Sequence, residues 1–163
     1  MTIRKRIAAD DPQLAALWER SVRATHDFLP EDDIHRLFPL VRDTYLPALD
    51  VQVFENPDHS PAGFIATDDD TVQMLFIDPA FRGQGIGRRL LDHVRRPLLK
   101  VDVNEQNPQA HGFYRHYGFE DIGRSALDGE DRPFPVIHMR LKALGSTFYT
   151  QPAISLKGIF PCR

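Results

Sequence analysis

The feature that most constrains this chain is residues 71–94, TVQMLFIDPAFRGQGIGRRLLDHV, where an apolar run meets an amphipathic stretch across a glycine-rich turn. Residues 72–77 favour a strand, and Asp78-Pro79 ends it because proline lacks the backbone donor that a β-ladder needs. Beyond the turn, apolar residues recur at helical spacing: Ile86, Leu90, Leu91 and Val94. The segment therefore predicts a strand that ends near Ile77 and a helix that begins near Ile86.

The turn between them, Arg82-Gly-Gln-Gly-Ile-Gly87, predicts a phosphate site. Missing Cβ atoms bring a ligand close to the backbone, and the first amides of a helix have no internal acceptor and carry the positive end of its dipole. Two familiar nucleotide loops are excluded. A dinucleotide fingerprint needs glycine where Arg88 or Leu90 stands, and a P-loop needs Lys followed by Ser or Thr. The alternative is a glycine corner that serves packing alone.

A second patterned segment begins at Asn107. Asn107 suits a helix cap, Pro108 suits the first helical position, and Gly118 suits a left-handed helix end. The apolar side of this helix contains Ala110, Phe113, Tyr114 and Tyr117. Structural reasoning alone would place all four in the core.

The remaining elements are predicted from alternation, prolines and turn residues. A helix should follow a cap at Asp11-Pro12 and bury Trp18, and a second helix should run from Pro30 to about Leu46. The predicted strands cover residues 3–7, 51–54 paired as a hairpin with 62–66, 98–103, 119–125 and 135–141.

Together, Arg82-x-x-Gly-x-Gly87 after a strand and Asn107-x-x-Ala-x-x-Phe-Tyr-x-x-x-Gly-Phe119 resemble the two signatures of the GNAT superfamily of acetyl-CoA-dependent N-acetyltransferases. The resemblance implies an α+β, three-layer fold with a central mixed, mostly antiparallel sheet of about seven strands flanked by about four helices. It implies a single domain over residues 1–141 and leaves residues 142–163 as a C-terminal tail without an assigned role.

The resemblance also implies how acetyl-CoA is bound. The loop would hold the coenzyme A pyrophosphate through Arg82, Gly83, Gln84, Gly85, Ile86, Gly87 and Arg88, with Arg89 as a further choice for the outer phosphate. The thioester carbonyl would accept from backbone amides at Leu75, Phe76 and Ile77. Asn107 would bind coenzyme A, and Tyr114 would protonate the departing thiolate.

For the acceptor site, the sequence leaves several candidates for the general base and for substrate contact. Relatives often place a glutamate on the central strand as the base, but Val72-Gln-Met-Leu75 contains no acid. Asp102, Glu105 and His26 are the candidate bases, and an amine bound already neutral would need none. In this superfamily the link between the first two helices usually walls the acceptor site, which makes His26 and Asp27 candidates for substrate contact. The alternative is that Asp27 caps a helix and His26 lies at the surface.

Composition restricts the partners and the cellular compartment that we expect for this chain. The net charge of −3 argues against a nucleic-acid partner, and the single Cys162 without zinc-type spacing favours a reducing cytoplasm and no metal. No run of about eighteen apolar residues predicts a membrane span. We therefore expect a cytoplasmic enzyme that uses acetyl-CoA to acetylate a primary amine of a small molecule, protein or peptide. The rival is an acyl-CoA-binding sensor without acceptor chemistry, and a homodimer is left open.

Overall fold

The computed structural model describes residues 2–142, and every structural statement below concerns those residues. Seven strands form one sheet in the order β1-β2-β3-β4-β5-β7-β6. The strands are β1 (Thr2–Lys5), β2 (Asp50–Glu55), β3 (Pro61–Asp68), β4 (Thr71–Ile77), β5 (Lys100–Asn104), β6 (Phe119–Ser125) and β7 (Val136–Leu141). β4 and β5 pair in parallel, whereas β1–β2, β2–β3, β5–β7 and β6–β7 pair antiparallel. The predicted mixed, mostly antiparallel sheet is confirmed.

Four helical segments accompany the sheet. They are α1 (Asp11–Thr25), α2 (Glu31–Leu40) continued through a π-helical turn (Val41–Tyr45) into the short α3 (Leu46–Ala48), α4 (Ile86–Val94) and α5 (Pro108–Tyr117). Within residues 2–142, no helix has the length and apolar content needed to cross a bilayer.

Backbone contacts group the chain into two compact units. The first comprises the chain up to Asp68 together with Leu75–Val94, and the second comprises Asp69–Met74 and the chain from Arg95 onward. Both units contain part of β4. The predicted single domain over residues 1–141 stays a prediction. The predicted tail, apart from Lys142, lies outside the described residues.

In the first unit, α1 buries one apolar face, and Trp18 is fully enclosed as predicted. Gly63 in β3 allows a close approach at the end of β4, since a Cβ there would lie 2.8 Å from Ile77 Cδ1 and 3.3 Å from Ile86 Cγ2. Ile86 is the first residue of α4. A glycine in β3 thus lets the start of α4 sit tightly against the sheet.

Two predicted boundaries in this unit are wrong. β1 ends at Lys5, and a short 3₁₀ turn (Ala8–Asp10) precedes α1. Asp11 is the first residue of α1 rather than its cap, because its carboxylate pairs with Arg6 at 2.5 Å. The predicted second helix is confirmed as a helical run from Glu31 to Ala48, and it includes a π-helical turn in which the Leu46 amide donates to the Val41 carbonyl. Pro39 and Pro47 flank this turn, and each removes a donor from the ladder.

In the second unit, β7 lies between β5 and β6. β5 begins at Lys100 rather than at Leu98, because Leu98 has a φ of 60° that a strand does not accept. Register and side-chain alternation divide this part of the sheet into two faces. The face that contacts α5, here called the α5 face, carries Val101, Met139, Leu141 and Phe119. The opposite face carries Lys100, Asp102, His138, Arg140 and Ser125.

Candidate active site

The end of β4 is fixed by Asp78. Its Oδ1 accepts from the Ala80 amide at 3.1 Å, its amide donates to the Ala62 carbonyl at 2.8 Å, and its Oδ2 pairs with Arg20 of α1 at 2.7 Å. The strand therefore ends at Ile77, as predicted, and the chain enters the glycine loop from a defined position.

The loop residues Gly83 and Gly85 both have left-handed backbones, with φ of 75° and 74°. This conformation disfavours any residue with a Cβ. A Cβ built at either position would have nothing within 4 Å, so the glycines are required by backbone conformation and not by crowding. The space beside both backbones is open to a ligand.

The residue that precedes helix α4, Gly85, has no side chain that could cap the helix. Its first internal bond runs from the Arg89 amide to the Gly85 carbonyl at 3.1 Å, so the amides of Ile86, Gly87 and Arg88 precede the ladder. Gly85 has no side chain to offer them, and the first turn contains no acid. The positive end of the helix dipole thus faces the open side of the loop.

Arginines surround this helix start. The Nε and Nη2 atoms of Arg82 are buried, and no atom of the described residues accepts from them. The Arg88 side chain is exposed, and the Arg89 guanidinium lies 4.9 Å from the ring centroid of Phe54. A buried guanidinium without an acceptor is costly unless an anion completes it. These residues therefore fit a diphosphate group in charge and donor content.

The start of α5 is confirmed as predicted. Asn107 Oδ1 accepts from the Ala110 amide at 3.1 Å, Pro108 opens the helix, and Gly118 ends it with a φ of 129°. Asn107 Nδ2 is buried and has no hydrogen-bond partner among the described residues. The side chain thus caps the helix with its oxygen and retains an amide donor for a ligand.

Tyr114 is fully enclosed on the inner side of α5. Its ring meets Phe113 at a centroid distance of 5.2 Å and Phe119 at 5.5 Å, both edge-on. Phe119 belongs to the α5 face, so Tyr114 packs on that face too. Ala110 is equally buried, whereas Phe113 and Tyr117 are only half-buried. The predicted core positions therefore hold fully for two of the four residues.

The parallel ladder between β4 and β5 is short. It joins Thr71 to Lys100 and Val72 to Val101. Alternate amides of a strand point toward the same neighbour, and those of β4 after Val72 lie outside this ladder. Leu75, Phe76 and Ile77 are all buried, and they form the end of the strand where the predicted carbonyl-binding amides would be.

His26 and Asp27 differ in exposure. His26 is 1% exposed, and its ring lies 5.3 Å from that of Phe28 and 6.4 Å from that of Phe76 in β4. Thr25 Oγ1 donates to the Ser21 carbonyl at 2.7 Å, so it accepts from His26 Nδ1 at 2.8 Å. The alternative that His26 lies at the surface is wrong.

Asp27 is exposed and does not cap α2, whose N-cap is Pro30 without a side-chain bond. The capping alternative for Asp27 is therefore wrong as well. Both residues remain candidates for contact with the acceptor.

The two acidic candidates for the base have different surroundings. Glu105 is exposed and pairs with Arg124, which lowers the pKa of Glu105 and stabilises its charged form. Asp102 Oδ1 lies 2.7 Å from His138 Nδ1, and His138 Nε2 lies 2.7 Å from Ser125 Oγ. Hydrogen bonding to Asp102 raises the pKa of His138.

Sequence reasoning missed His138 and Ser125. They lie 36 and 13 residues from their partners in this chain of hydrogen bonds, Asp102 and His138 respectively. The one available signal was the alternation of His138 with buried Met139 in a predicted strand. Among residues 2–142, no cluster of three or more His, Cys, Asp or Glu residues could hold a metal ion.

Comparison with known proteins agrees with this geometry. Residues 50–143 match the family model described as an acetyltransferase (GNAT) domain. The peptidyl-lysine N-acetyltransferase YjaB of Salmonella typhimurium and of Escherichia coli is 40% identical over 141 residues, which is 85% of this chain and 97% and 95% of the respective relatives.

Two solved structures share the fold. Apo YjaB from Escherichia coli superposes with a TM-score of 0.79 at 39% identity, covering 89% of this chain and 98% of the other. PaiA N-acetyltransferase from Thermoplasma acidophilum in complex with coenzyme A has a TM-score of 0.68 at 18% identity, covering 88% and 100%. The predicted fold and the predicted enzyme class are both confirmed, against the sensor alternative. The chain therefore belongs to the GNAT acetyltransferase family and is an N-acetyltransferase that uses acetyl-CoA to acetylate an amine.

Proposed function

We propose that the acceptor of this enzyme is the ε-amino group of lysine in a protein or peptide. The observation that carries this proposal is the 40% identity to YjaB, a peptidyl-lysine N-acetyltransferase, over nearly the full length of that relative. The exposed Asp27, in the link between α1 and α2, adds a negative charge that suits an incoming ammonium group.

For the donor, we propose that the amides and arginines at the start of α4 hold the pyrophosphate. This assignment is supported by the left-handed Gly83 and Gly85 and by the buried donors of Arg82. The full set is Arg82, Gly83, Gln84, Gly85, Ile86, Gly87 and Arg88. By the resemblance, the buried Nδ2 of Asn107 would also donate to coenzyme A.

When bound, acetyl-CoA supplies the activated acetyl group as a thioester. Amides of Leu75, Phe76 and Ile77 orient the carbonyl and stabilise the negative charge that develops on its oxygen. The Tyr114 hydroxyl gives its proton to the departing sulfur. His26, packed near Phe76, and Asp27 contact the acceptor. Of the two acidic candidates we propose Asp102 as the base, because Glu105 already forms an ion pair with Arg124.

The acceptor is tested by incubating the protein with acetyl-CoA and a lysine-containing peptide, with mass spectrometry to locate the acetyl group. The matched control is the same peptide with arginine in place of lysine. Acetylation confined to the lysine side chain supports the proposal. Acetylation of the peptide N-terminus alone, or of small amines alone, contradicts it.

The Tyr114→Phe variant tests the acid. Loss of the proton donor should lower kcat about 100-fold, within the range typical of general acids. The acetyl-CoA affinity, measured by calorimetry, should stay nearly unchanged because the ring is retained. A variant with the wild-type kcat would remove Tyr114 from the chemistry.

Three coarser expectations stay proposals. We propose that the enzyme works in the cytoplasm and that residues 1–141 form one domain. A homodimer is the oligomeric state to test. Sedimentation of the purified chain measures the oligomeric state, and limited proteolysis shows whether residues 1–141 resist cleavage as one body.

A further inference from the structure

Asp78, the residue that follows β4, joins three elements of the first unit. Its amide donates to the Ala62 carbonyl of β3 at 2.8 Å, and its Oδ1 accepts from the Ala80 amide at 3.1 Å. Its Oδ2 accepts from Nε and Nη2 of Arg20, on α1, at 3.2 Å and 2.7 Å. Both carboxylate oxygens are therefore in use, one toward the chain that follows β4 and one toward α1.

The end of β4 has α1 on one face and α4 on the other. Neighbouring residues of a strand point to opposite faces of the sheet. Ile77 lies on the face of α4, because a Cβ at Gly63 would approach both Ile77 and Ile86. Phe76 lies on the face of α1, where its ring is 6.4 Å from that of His26, the C-cap of α1. The two helices thus cover opposite faces of the strand end.

The chain between β4 and the glycine loop is folded onto Asp78. Residues 79–81 form a 3₁₀ turn in which the Phe81 amide donates to the Asp78 carbonyl at 2.8 Å, and the Ala80 amide donates to the Asp78 side chain. The turn leads directly into Arg82 and then into the left-handed Gly83. The orientation of Asp78 therefore sets where the loop begins.

The loop needs such a restraint. Glycine has more accessible backbone conformations than any other residue, so ordering Gly83 and Gly85 around a ligand costs conformational entropy. A fixed entry into the loop lowers that cost, because fewer conformations remain before the ligand binds. The side chain of Asp78 is 13% exposed and that of Arg20 is 51% exposed, so one partner of the ion pair is shielded from water.

We propose that Arg20 is a positioning residue for acetyl-CoA binding, a role that rests on the proposed pyrophosphate site at the start of α4. Arg20 holds Asp78, and Asp78 holds the entry of the loop. Because α1 and α4 cover opposite faces of the strand end, Arg20 acts through Asp78 and does not contact the donor. The helix that leads to His26 thus also orders the donor site.

The first experiment measures coenzyme A affinity by calorimetry. Arg20→Leu should bind about fivefold more weakly, the upper scale of an ion pair with one exposed partner. Arg20→Lys should bind more tightly than Arg20→Leu, because an ammonium group still pairs with Asp78 although it lacks the fork of donors. Thermal unfolding of each variant shows that it folds.

Arg23→Leu is the matched control. It removes a second arginine of α1 that pairs with Glu19 and Glu31, and it leaves Asp78 untouched. Its coenzyme A affinity should equal that of the wild type. Wild-type affinity in Arg20→Leu, or an equal loss in Arg23→Leu, overturns the proposal.

The second experiment is a double-mutant cycle with Asp78→Asn. Asparagine keeps an acceptor for the Ala80 amide but removes the charge that pairs with Arg20. This variant should also bind coenzyme A about fivefold more weakly, and adding Arg20→Leu to it should cause no further loss, because both changes break one pair. Additive losses would show that Arg20 acts by another route, such as direct contact with the donor, and overturn the proposal.

The third experiment separates positioning from a general structural defect by comparing two acetyl donors, with a lysine peptide or a simple alkylamine as acceptor. For Arg20→Leu, KM for acetyl-CoA should rise about fivefold with kcat unchanged, because ground-state and transition-state binding are weakened equally. S-acetylpantetheine carries the thioester without the diphosphate, so its kcat/KM should not change. Equal losses with both donors overturn the proposal.

The loop variants Arg82→Met and Gly85→Val are measured alongside. Wild-type coenzyme A affinity in both contradicts the proposed pyrophosphate site itself. Weak binding in both, together with wild-type affinity in Arg20→Leu, contradicts only the positioning role. Weak binding in all three, with Arg23→Leu unchanged, supports both proposals.

Discussion

Helices α4 and α5 both follow a strand of the same sheet, yet they begin in opposite ways. α5 begins at Pro108 after Asn107, whose side chain accepts from the Ala110 amide. α4 begins at Ile86 after Gly85, which has no side chain, and its first three amides precede the ladder. We call the start of α5 closed, because a side chain of the protein caps it, and the start of α4 open, because Gly85 has no side chain to cap it.

The difference shows which helix start is built for an external anion. A structural helix start satisfies its amides with a side-chain oxygen. The start of α4 instead has positively charged side chains near it. Arg82 has buried donors without an acceptor in the described residues, and Arg88 lies in the first turn. An open start with uncompensated positive charge is stable with a bound anion and disfavoured without one.

The largest effect should come from closing the open start with Gly85→Val. A β-branched residue at a φ of 74° strains the loop by about 1–2 kcal/mol, and its side chain fills the space beside the amides. Loss of two charge-assisted hydrogen bonds, at about 1.5–3 kcal/mol each, should weaken coenzyme A binding about 100-fold or more. Calorimetry measures the affinity.

Gly112→Ala is the matched control, because Gly112 is exposed within α5 and a Cβ there meets nothing within 4 Å. It should leave coenzyme A affinity unchanged and stabilise the helix by about 1 kcal/mol. Wild-type affinity in Gly85→Val would argue that the loop is a packing corner.

Replacing Arg82 by methionine should separate stability from binding. The change removes buried donors that have no acceptor in the described residues, so the free energy of unfolding should not fall. Coenzyme A affinity should fall about 10- to 30-fold, because a charge-assisted hydrogen bond is lost. Denaturant unfolding and calorimetry give the two values. Reduced stability with unchanged affinity would assign Arg82 a structural role.

Asn107→Asp tests the closed start. The carboxylate keeps the acceptor that caps α5, so stability should change little, but the buried Nδ2 donor is lost. Affinity for coenzyme A should fall about 10-fold, which corresponds to about 1.4 kcal/mol. Asn107→Ala, the comparison variant, should lose about 1 kcal/mol of stability as well. Equal affinities in wild type and Asn107→Asp would leave Asn107 as a cap only.

The smallest effect on binding should come from Gly63→Ala, which acts on the position of α4. Its Cβ would lie 2.8 Å from Ile77 Cδ1 and 3.1 Å from the Phe76 carbonyl oxygen. Overpacking of this kind costs about 1–3 kcal/mol, so thermal unfolding should shift to lower temperature. Coenzyme A affinity should fall only as far as Ile86 moves. An unchanged melting temperature would show that β3 yields without cost.

Local chemistry accounts for what the sequence could predict. The ends of β4, α4 and α5 could be predicted from the sequence alone. They depend on Asp78-Pro79, the loop glycines and the Asn107 cap, each of which acts on backbone only a few residues away. The resemblance to the GNAT superfamily predicted the architecture of the sheet and acetyl-CoA as the acetyl donor. The hydrogen-bonded set of Asp102, His138 and Ser125 could not be predicted, because it depends on the register of β7 against two strands and on a bulge between Asp121 and Gly123.

The strand order has a consequence for biosynthesis. Of the strands within residues 2–142, β7 is the last to be made, yet it occupies an interior position between β5 and β6. Until Leu141 has left the ribosome, both neighbours present unpaired backbone edges to the crowded cell. We expect nascent chains that stop before Val136 to be the species most dependent on chaperones, and ribosome-bound chains of graded length provide the measurement.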